Sequence, residues 1–460
     1  MMESNRKYKN IYFIGIGGIG MSNLARYFLI KGARVGGYDK TETDLTRSLE
    51  AEGALIHYED STSFIPNDFF DLSNTLIVYT PAVPNTHNEL NYFRDKGFQI
   101  VKRAQLLGEI TKFSHAICIA GTHGKTTVSS MVAHLFKQSH LDCNAFLGGI
   151  LKNYNSNLLL SEKSNFTVVE ADEYDRSFHS LQPHIAIITS ADPDHLDIYG
   201  TEEAYLESFE KFSSLIRANG HLILKQGTKI TPKVEKSVKV WSYSESQGDF
   251  HAENVRIENG DIIFNFVSPR GVIKDIILGV PVKINIENSI AAMAAAELSG
   301  ATPEEIKAAM GSFRGVKRRF EIHLKTSQVV YIDDYAHHPQ ELKAAIISIK
   351  TLYPGKKLTA VFQPHLYSRT RDFADDFGES LSLADDVILL NIYPAREEPI
   401  EGVSSEIIYN KIKSSEKQLI DKSKLIDLIR NKQPELLVTF GAGDIDKMVP
   451  VIKEILSENL

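Results

Sequence analysis

Ala120-Gly121-Thr122-His123-Gly124-Lys125-Thr126-Thr127 stands between the β-branched run AICIA and the amphipathic stretch VSSMVAHLF. A glycine-rich turn that leaves a strand and opens a helix commits that part of the chain to a parallel α/β layer. Its backbone N–H groups can wrap phosphate oxygens at the helix N-terminus. Lys125 is placed to neutralise β- and γ-phosphates, and Thr126 to offer a hydroxyl to Mg²⁺. The general form of this loop carries glycine at position 119, where this chain has Ile119. The shorter G-T-x-G-K-T-T form is intact, so residues 121–127 are expected to bind a nucleoside triphosphate.

The rest of the chain repeats the strand–helix rhythm. Candidate strands lie at 11–15, 33–39, 75–80, 116–121, 166–172, 184–190, 329–334, 358–363, 386–391 and 435–441, with helical patterns between most of them. Such alternation predicts parallel sheets covered by helices. Residues 250–278 break the rhythm. They read as a small antiparallel excursion around an Asn259-Gly260 turn. At about 150 residues per domain, the length of 460 suggests three domains. The boundaries are expected near residues 110 and 314, giving domains 1–110, 111–314 and 315–460.

Composition narrows the classes. With 51 basic and 59 acidic residues, the net charge of −8 weighs against a nucleic-acid-binding surface. Cys118 and Cys143 are the only cysteines, and both sit in apolar stretches. Two buried free thiols in a reducing compartment are expected, rather than a disulfide scaffold or a zinc module. No apolar run reaches the roughly 18 residues of a membrane span. A cytoplasmic protein without membrane insertion is expected.

Six further stretches carry chemistry. Gly15-x-Gly17-Gly18-x-Gly20 follows the first strand and opens a helix, with Asp39 at the end of the second strand and Thr80 at the end of the third. This pattern suits a phosphate at the helix N-terminus and a ribose hydroxyl at the acidic residue. The ligand stays open between NAD and a UDP-linked sugar. Glu170-Ala171-Asp172-Glu173 ends another strand, which places Glu170 or Asp172 to hold Mg²⁺ and leaves helix-cap or solvent roles to the others. His195, between Asp194 and Asp197, is expected at a second metal or the γ-phosphate. Lys317-Arg318-Arg319-Phe320 offers guanidinium groups to a phosphate, or is a solvated basic turn. Asp333-Asp334-Tyr335-Ala336-His337-His338-Pro339 and Gln363–Arg371 again follow strands. The first suits polar contacts to nucleotide and substrate better than zinc. Arg369 and Arg371 of the second could hold a carboxylate, unless Arg371 is an exposed helix residue paired with Asp375.

Taken together, GIGGIGMSNLAR, AGTHGKTT, EADEYDRSFHSLQP, DHLD, KRRFE, DDYAHHP and FQPHLYSRTRDF resemble the Mur ligase family, in the family's order over nearly the whole chain. The resemblance implies a three-domain α/β architecture. It has a Rossmann-like N-terminal domain for the UDP-sugar, a central P-loop ATPase domain and a Rossmann-like C-terminal domain for the amino acid. It implies an ATP-dependent ligase with Mg²⁺ that joins L-alanine to the lactyl carboxylate of UDP-N-acetylmuramate through an acyl phosphate, in a monomer or weak homodimer. Attachment of a whole tripeptide in cell-wall recycling is the alternative within the family, and an NAD-dependent oxidoreductase the alternative outside it.

The resemblance also implies roles. Lys125, His195, Glu170 and Arg319 are catalytic, with Thr126, Glu170 and His195 toward the metal. Gly121, Thr122, His123, Gly124, Lys125, Thr126, Thr127, Asn288, Arg319 and Asp334 contact ATP. Gly15, Gly17, Gly18, Gly20, Asp39 and Thr80 face the UDP-sugar. Tyr335, His337, His338, Arg369 and Arg371 face the amino acid. Two departures stand out. Of the family's H-N-x-x-N pattern only Asn288 survives in Glu287-Asn288-Ser289-Ile290-Ala291, and Leu366 stands where several relatives carry arginine. Glu210 beside Lys211 occupies the region of the family's carbamylated lysine, and no carbamate is assigned.

Overall fold

The computed structural model describes residues 8–458 except Pro81, Asp194, His195, Asn259 and Arg396, and gives Leu196 and Asp197 no side-chain description. The expectations for His195, Asp194 and the Asn259-Gly260 turn therefore fall outside the described residues. The chain divides into two compact units: residues 1–253, 265–276 and 287–312, and residues 254–264, 277–286 and 313–460.

The first unit holds two sheets. One has the order β3-β2-β1-β4-β5, from β1 (Asn10–Ile14), β2 (Arg34–Tyr38), β3 (Leu55–His57), β4 (Thr75–Tyr79) and β5 (Gln99–Lys102). All its pairings are parallel. β1 buries Ile11 and Phe13 in one apolar cluster and Tyr12 and Ile14 in another. A strand covered on both faces reads as a continuous apolar run, and that is why it stands out in the sequence. The strand order reverses at β1, whose neighbours are β2 and β4. The crevice beyond their carboxyl ends is where ligands of such sheets bind.

The second sheet has the order β12-β11-β10-β6-β9-β7-β8. Its strands are β6 (His115–Ala120), β7 (Asn144–Leu151), β8 (Ser156–Leu159), β9 (Phe166–Glu170), β10 (Ile185–Ile188), β11 (His221–Lys225) and β12 (Lys239–Tyr243). Here the order reverses at β6, which β9 and β10 flank in parallel. Only β7 and β8 pair antiparallel. The two sheets are tied together through side chains. Asn23 Nδ2 donates to the carbonyls of Leu147 and Asn157, each at 3.0 Å, and Asn157 Nδ2 returns a bond to Ile19 O at 3.2 Å. Tyr27 packs its ring on Phe146 at 5.5 Å. The phosphate loop and the first glycine loop are thus held in fixed relation.

Residues 251–277 form the expected antiparallel excursion, a three-stranded sheet β13 (His251–Glu258), β14 (Asp261–Ser268) and β15 (Gly271–Ile277). The second unit is built on a sheet of order β16-β17-β21-β18-β19-β20. These are β16 (Glu321–Lys325), β17 (Val330–Asp334), β18 (Leu358–Phe362), β19 (Asp386–Leu390), β20 (Glu416–Ile420) and β21 (Leu436–Phe440). β21 lies between β17 and β18 in parallel, so the loops after all three emerge at one edge. Cys118 and Cys143 are buried free thiols, and burial raises the pKa of both. Among the described residues no helix is long and apolar enough to cross a membrane.

Candidate active site

The phosphate loop leaves β6 and turns into the helix Lys125–Lys137 through two glycines of positive φ, Gly121 at +140° and Gly124 at +86°. A side chain at Gly121 would overlap the Thr189 hydroxyl, so close approach as well as backbone conformation requires glycine there. The end of β10 braces the loop. Thr189 Oγ1 donates to His123 O at 2.5 Å, and the Ser190 hydroxyl accepts from His123 N at 2.9 Å. Thr122 Oγ1 donates to Asp192 O at 2.7 Å and lies 2.9 Å from the Tyr205 hydroxyl. Asn288 Oδ1 stands beside Gly124.

Lys125 Nζ donates to Gly121 O at 2.6 Å and to Glu173 Oε1 at 2.8 Å. Glu173 is 2% exposed, so the helix-cap or solvent role expected for it is wrong. It is the buried counter-charge of the loop lysine. Glu170, at the end of β9, accepts from Thr126 Oγ1 at 3.0 Å through one oxygen and from Gly148 N at 3.0 Å through the other. A side chain at Gly148 would overlap that carboxylate. Burial raises the pKa of both Glu170 and Glu173, and the Lys125 ammonium opposes the rise. A buried and a partly buried carboxylate around one ammonium leave the site short of positive charge.

These donors fit Mg²⁺. Thr126 Oγ1 and Glu170 Oε1 are hard oxygens 3.0 Å apart, close to the edge of an octahedron with metal–oxygen bonds of about 2.1 Å. No group of three or more His, Cys, Asp or Glu among the described residues is arranged to hold a metal by itself. That matches an ion that takes one or two protein oxygens and completes its shell with phosphate and water.

The first glycine loop lies at the carboxyl end of β1. Gly15 has φ +86°, and a Cβ there would sit 2.9 Å from Thr80 Cγ2, so Thr80 closes over the loop. Asp39 was expected at a ribose hydroxyl. One of its oxygens accepts from Gly17 N at 2.7 Å and the other from Thr41 N at 3.2 Å. The carboxylate first of all shapes the loop. Between this loop and Glu170 lies a cavity of about 210 Å³, lined among others by Gly20, Asn23, Arg103, Phe146, Gly148, Glu170 and Asp172. Arg103 NH2 donates to Asp172 Oδ2 at 3.1 Å. Asp172 is thus the partner of an arginine, and Glu170 is the one of the two that meets Thr126. Arg103 opens the helix that follows an edge strand, and nothing in its sequence context marks it.

The second unit gathers its own cluster. Arg318 and Phe320 have φ of +61° and +47°. Both arginines of this kink lie over the Tyr335 ring, Arg318 at 5.1 Å, but their polar partners differ. Arg318 is structural, donating to Gly441 O at 2.5 Å and pairing with Asp333 at 3.5 Å and Asp446 at 3.6 Å. Asp333 is 1% exposed and accepts from Thr439 Oγ1 at 2.7 Å. Arg319 lies over the Tyr335 ring at 5.3 Å. Asp334 accepts from Ala336 N at 2.8 Å and Phe320 N at 3.0 Å. Its pKa is raised to about 7 by burial, against the pull of Arg319.

His337 Nδ1 lies 3.0 Å from Tyr335 O, and burial lowers the pKa of this histidine. Pro339 opens the helix Pro339–Leu352, with Glu341 accepting from His337 N at 3.1 Å and His338 N at 3.3 Å. Arg369 reaches His365 at 3.5 Å. Arg371 does not join the cluster. Its side chain is 54% exposed and pairs with Asp372, while Asp375 pairs with Lys411. Glu210 pairs with Lys233. Leu366 has φ +72°, a costly conformation for leucine just before the helix Tyr367–Asp372.

Three family models match successive parts of the chain. The family model "Mur ligase family, catalytic domain" matches residues 10–115, "Mur ligase middle domain" residues 119–296, and "Mur ligase, glutamate ligase domain" residues 318–443. A UDP-N-acetylmuramate–L-alanine ligase of Parabacteroides distasonis is 60% identical over 99% of this chain and 98% of its own. The structure of a UDP-N-acetylmuramate–alanine ligase from Thermotoga maritima matches with a TM-score of 0.79 at 26% identity, covering 98% of each chain. That of a murein peptide ligase from Psychrobacter arcticus matches at 0.66 and 22% identity, covering 97% of this chain and 98% of that one.

Proposed function

The chain belongs to the Mur ligase family, and from that premise we propose how its residues do the work. It is an ADP-forming ligase that joins L-alanine to the lactyl carboxylate of UDP-N-acetylmuramate in peptidoglycan precursor synthesis, with ATP as co-substrate. The murein peptide ligase, at 22% identity, shares the fold. The relatives at high identity carry the alanine-adding name. The observation that carries the reading is that Glu170, which accepts from Thr126 of the phosphate loop, lines the same cavity as Gly20 of the first glycine loop.

In our reading the loop Gly121–Thr127 cradles the ATP phosphates, with Asn288 beside it. Lys125 leaves its loop carbonyl and follows charge onto the β- and γ-phosphates. Thr126 and Glu170 are the described residues that would hold Mg²⁺, which when bound would neutralise phosphate charge. His195 remains part of this proposal on sequence grounds alone. Phosphoryl transfer asks the protein mainly for position and charge. The lactyl carboxylate attacks the γ-phosphate and ADP leaves, giving an acyl phosphate. The alanine amine then attacks the acyl carbon and phosphate leaves.

Gly15, Gly17, Gly18, Gly20 and Thr80 take the UDP-sugar, with Asp39 holding the loop in shape. Arg319 and Asp334 are proposed nucleotide contacts. Tyr335, His337, His338 and Arg369 are proposed for the amino acid. With Nδ1–H of His337 directed to the Tyr335 carbonyl, its Nε2 is the basic nitrogen, and the lowered pKa keeps it neutral near pH 7. Domain limits near residues 110 and 314 and a cytoplasmic site complete the proposal.

The test is isotopic. Lactyl carboxylate labelled with ¹⁸O should deliver one ¹⁸O to the released phosphate. Unlabelled phosphate, with label retained in the amide product, would rule out the acyl phosphate route.

A further inference from the structure

We propose that Arg103 is a specificity-determining residue that holds the lactyl carboxylate of the UDP-sugar in the cavity between the first glycine loop and Glu170. This rests on the functional reading above. The cavity has about 210 Å³ and two acidic walls, Glu170 and Asp172. On the functional reading, the substrate carboxylate comes through it from the first glycine loop toward Glu170, and two carboxylates repel a third. Lys125 is committed to the phosphate loop and Glu173. Arg103 is the basic residue lining this cavity.

Its position is built rather than incidental. Lys102 is anchored to Asp175 at 2.7 Å, which fixes the start of the helix Arg103–Lys112. The guanidinium lies across the bare Cα of Gly20, where any side chain would overlap it. Thus Gly20, the last glycine of the loop, makes room for a cation as well as for a phosphate. Among the described residues one bond ties the group down, NH2 to Asp172 at 3.1 Å. With 23% of the side chain exposed, it is partly desolvated yet reachable. A guanidinium has five N–H donors in a fork that suits a carboxylate. Asp172 therefore aims Arg103 and leaves donors for substrate.

Calorimetric binding of two ligands tests this: UDP-N-acetylmuramate, and the same UDP-amino sugar without its 3-O-lactyl group. Wild type should prefer the lactyl-bearing ligand. Arg103→Ala should lose roughly 10–100-fold in affinity for it, the range of a charge-assisted bond. Affinity for the lactyl-free ligand and for ADP should hold, so the preference collapses. Arg103→Lys should keep part of it. Asp172→Asn, which removes the brace and keeps the cation, should keep most of it. Equal loss for both sugars in Arg103→Ala, or a preference that survives there, would overturn the assignment. If Arg103→Ala fails to bind ADP, Asp172→Asn decides, since loss of preference there would reduce Arg103 to a structural brace. Wild type that binds ADP and neither sugar would overturn the functional reading and this inference with it.

Discussion

Lys125 and Glu173 form an ion pair with little exposure, 16% and 2% by side chain. Their contributions to activity and stability should separate. Lys125→Ala should lower kcat by about 10²–10³-fold, as loss of a charge-stabilising donor does. It should also lower Tm, because Glu173 is left buried without its cation. Adding Glu173→Gln should recover Tm and leave kcat low. Recovery of both, in thermal melts and phosphate-release assays, would contradict a phosphate role for the lysine. A second residue-scale prediction concerns Glu89, fully buried beneath the first sheet. It accepts from Tyr12 OH at 2.8 Å, and burial raises its pKa to about 7. The folded state therefore holds a proton that the unfolded chain, with an ordinary value of 4.5, releases. Stability from this group is present below pH 4.5 and falls as pH rises toward 7. Glu89→Gln should remove that fall, so the variant gains on wild type between these values in urea titrations at several pH values. A constant difference across the window would show that Glu89 does not titrate there.

Elements place these residues, and the helix Arg103–Lys112 shows how. It packs on the segment Tyr174–Ser180 at Gly108, where a Cβ would overlap Ser180 O. Helix propensity favours alanine over glycine by about 1 kcal/mol. Overpacking against fixed backbone costs about 1–3 kcal/mol. Gly108→Ala should therefore destabilise, by urea unfolding, despite its propensity. A stabilised variant would mean the contact yields freely. The central strands were legible because burial on both faces writes an unbroken apolar run, as in β6 and β21. Edge strands such as β3 (LIH), β5 (QIVK) and β20 (EKQLI) were not, because half-buried short runs mix polar and apolar residues. At the site, Gly15–Gly20, Gly121–Thr127 and Glu170 were legible because each ends a strand at one edge of a parallel sheet. Glu173 and Arg103 were not, since a pair such as Lys125–Glu173 is 48 residues apart and forms only when β6 and β9 lie side by side. Arg371 is exposed on the helix Tyr367–Asp372, as the second of its two readings had it, but its partner is Asp372 and not Asp375.

At the scale of the molecule, one unit carries both the phosphate loop and the first glycine loop, tied by Asn23, Asn157 and Arg103. With the roles proposed above, the two substrates that must react first would meet within one body. Because Thr126 and Glu170 supply so few metal donors, Mg²⁺ should exchange readily. EDTA should abolish phosphate release and excess Mg²⁺ restore it, whereas turnover that persists in EDTA would contradict a metal at these residues. The account stands most directly on one assay: phosphate release from ATP with Mg²⁺ and UDP-N-acetylmuramate, with L-alanine or with L-Ala-γ-D-Glu-meso-diaminopimelate. It predicts release that requires L-alanine and yields the UDP-muramoyl-alanine product, and release driven by the tripeptide alone would contradict it.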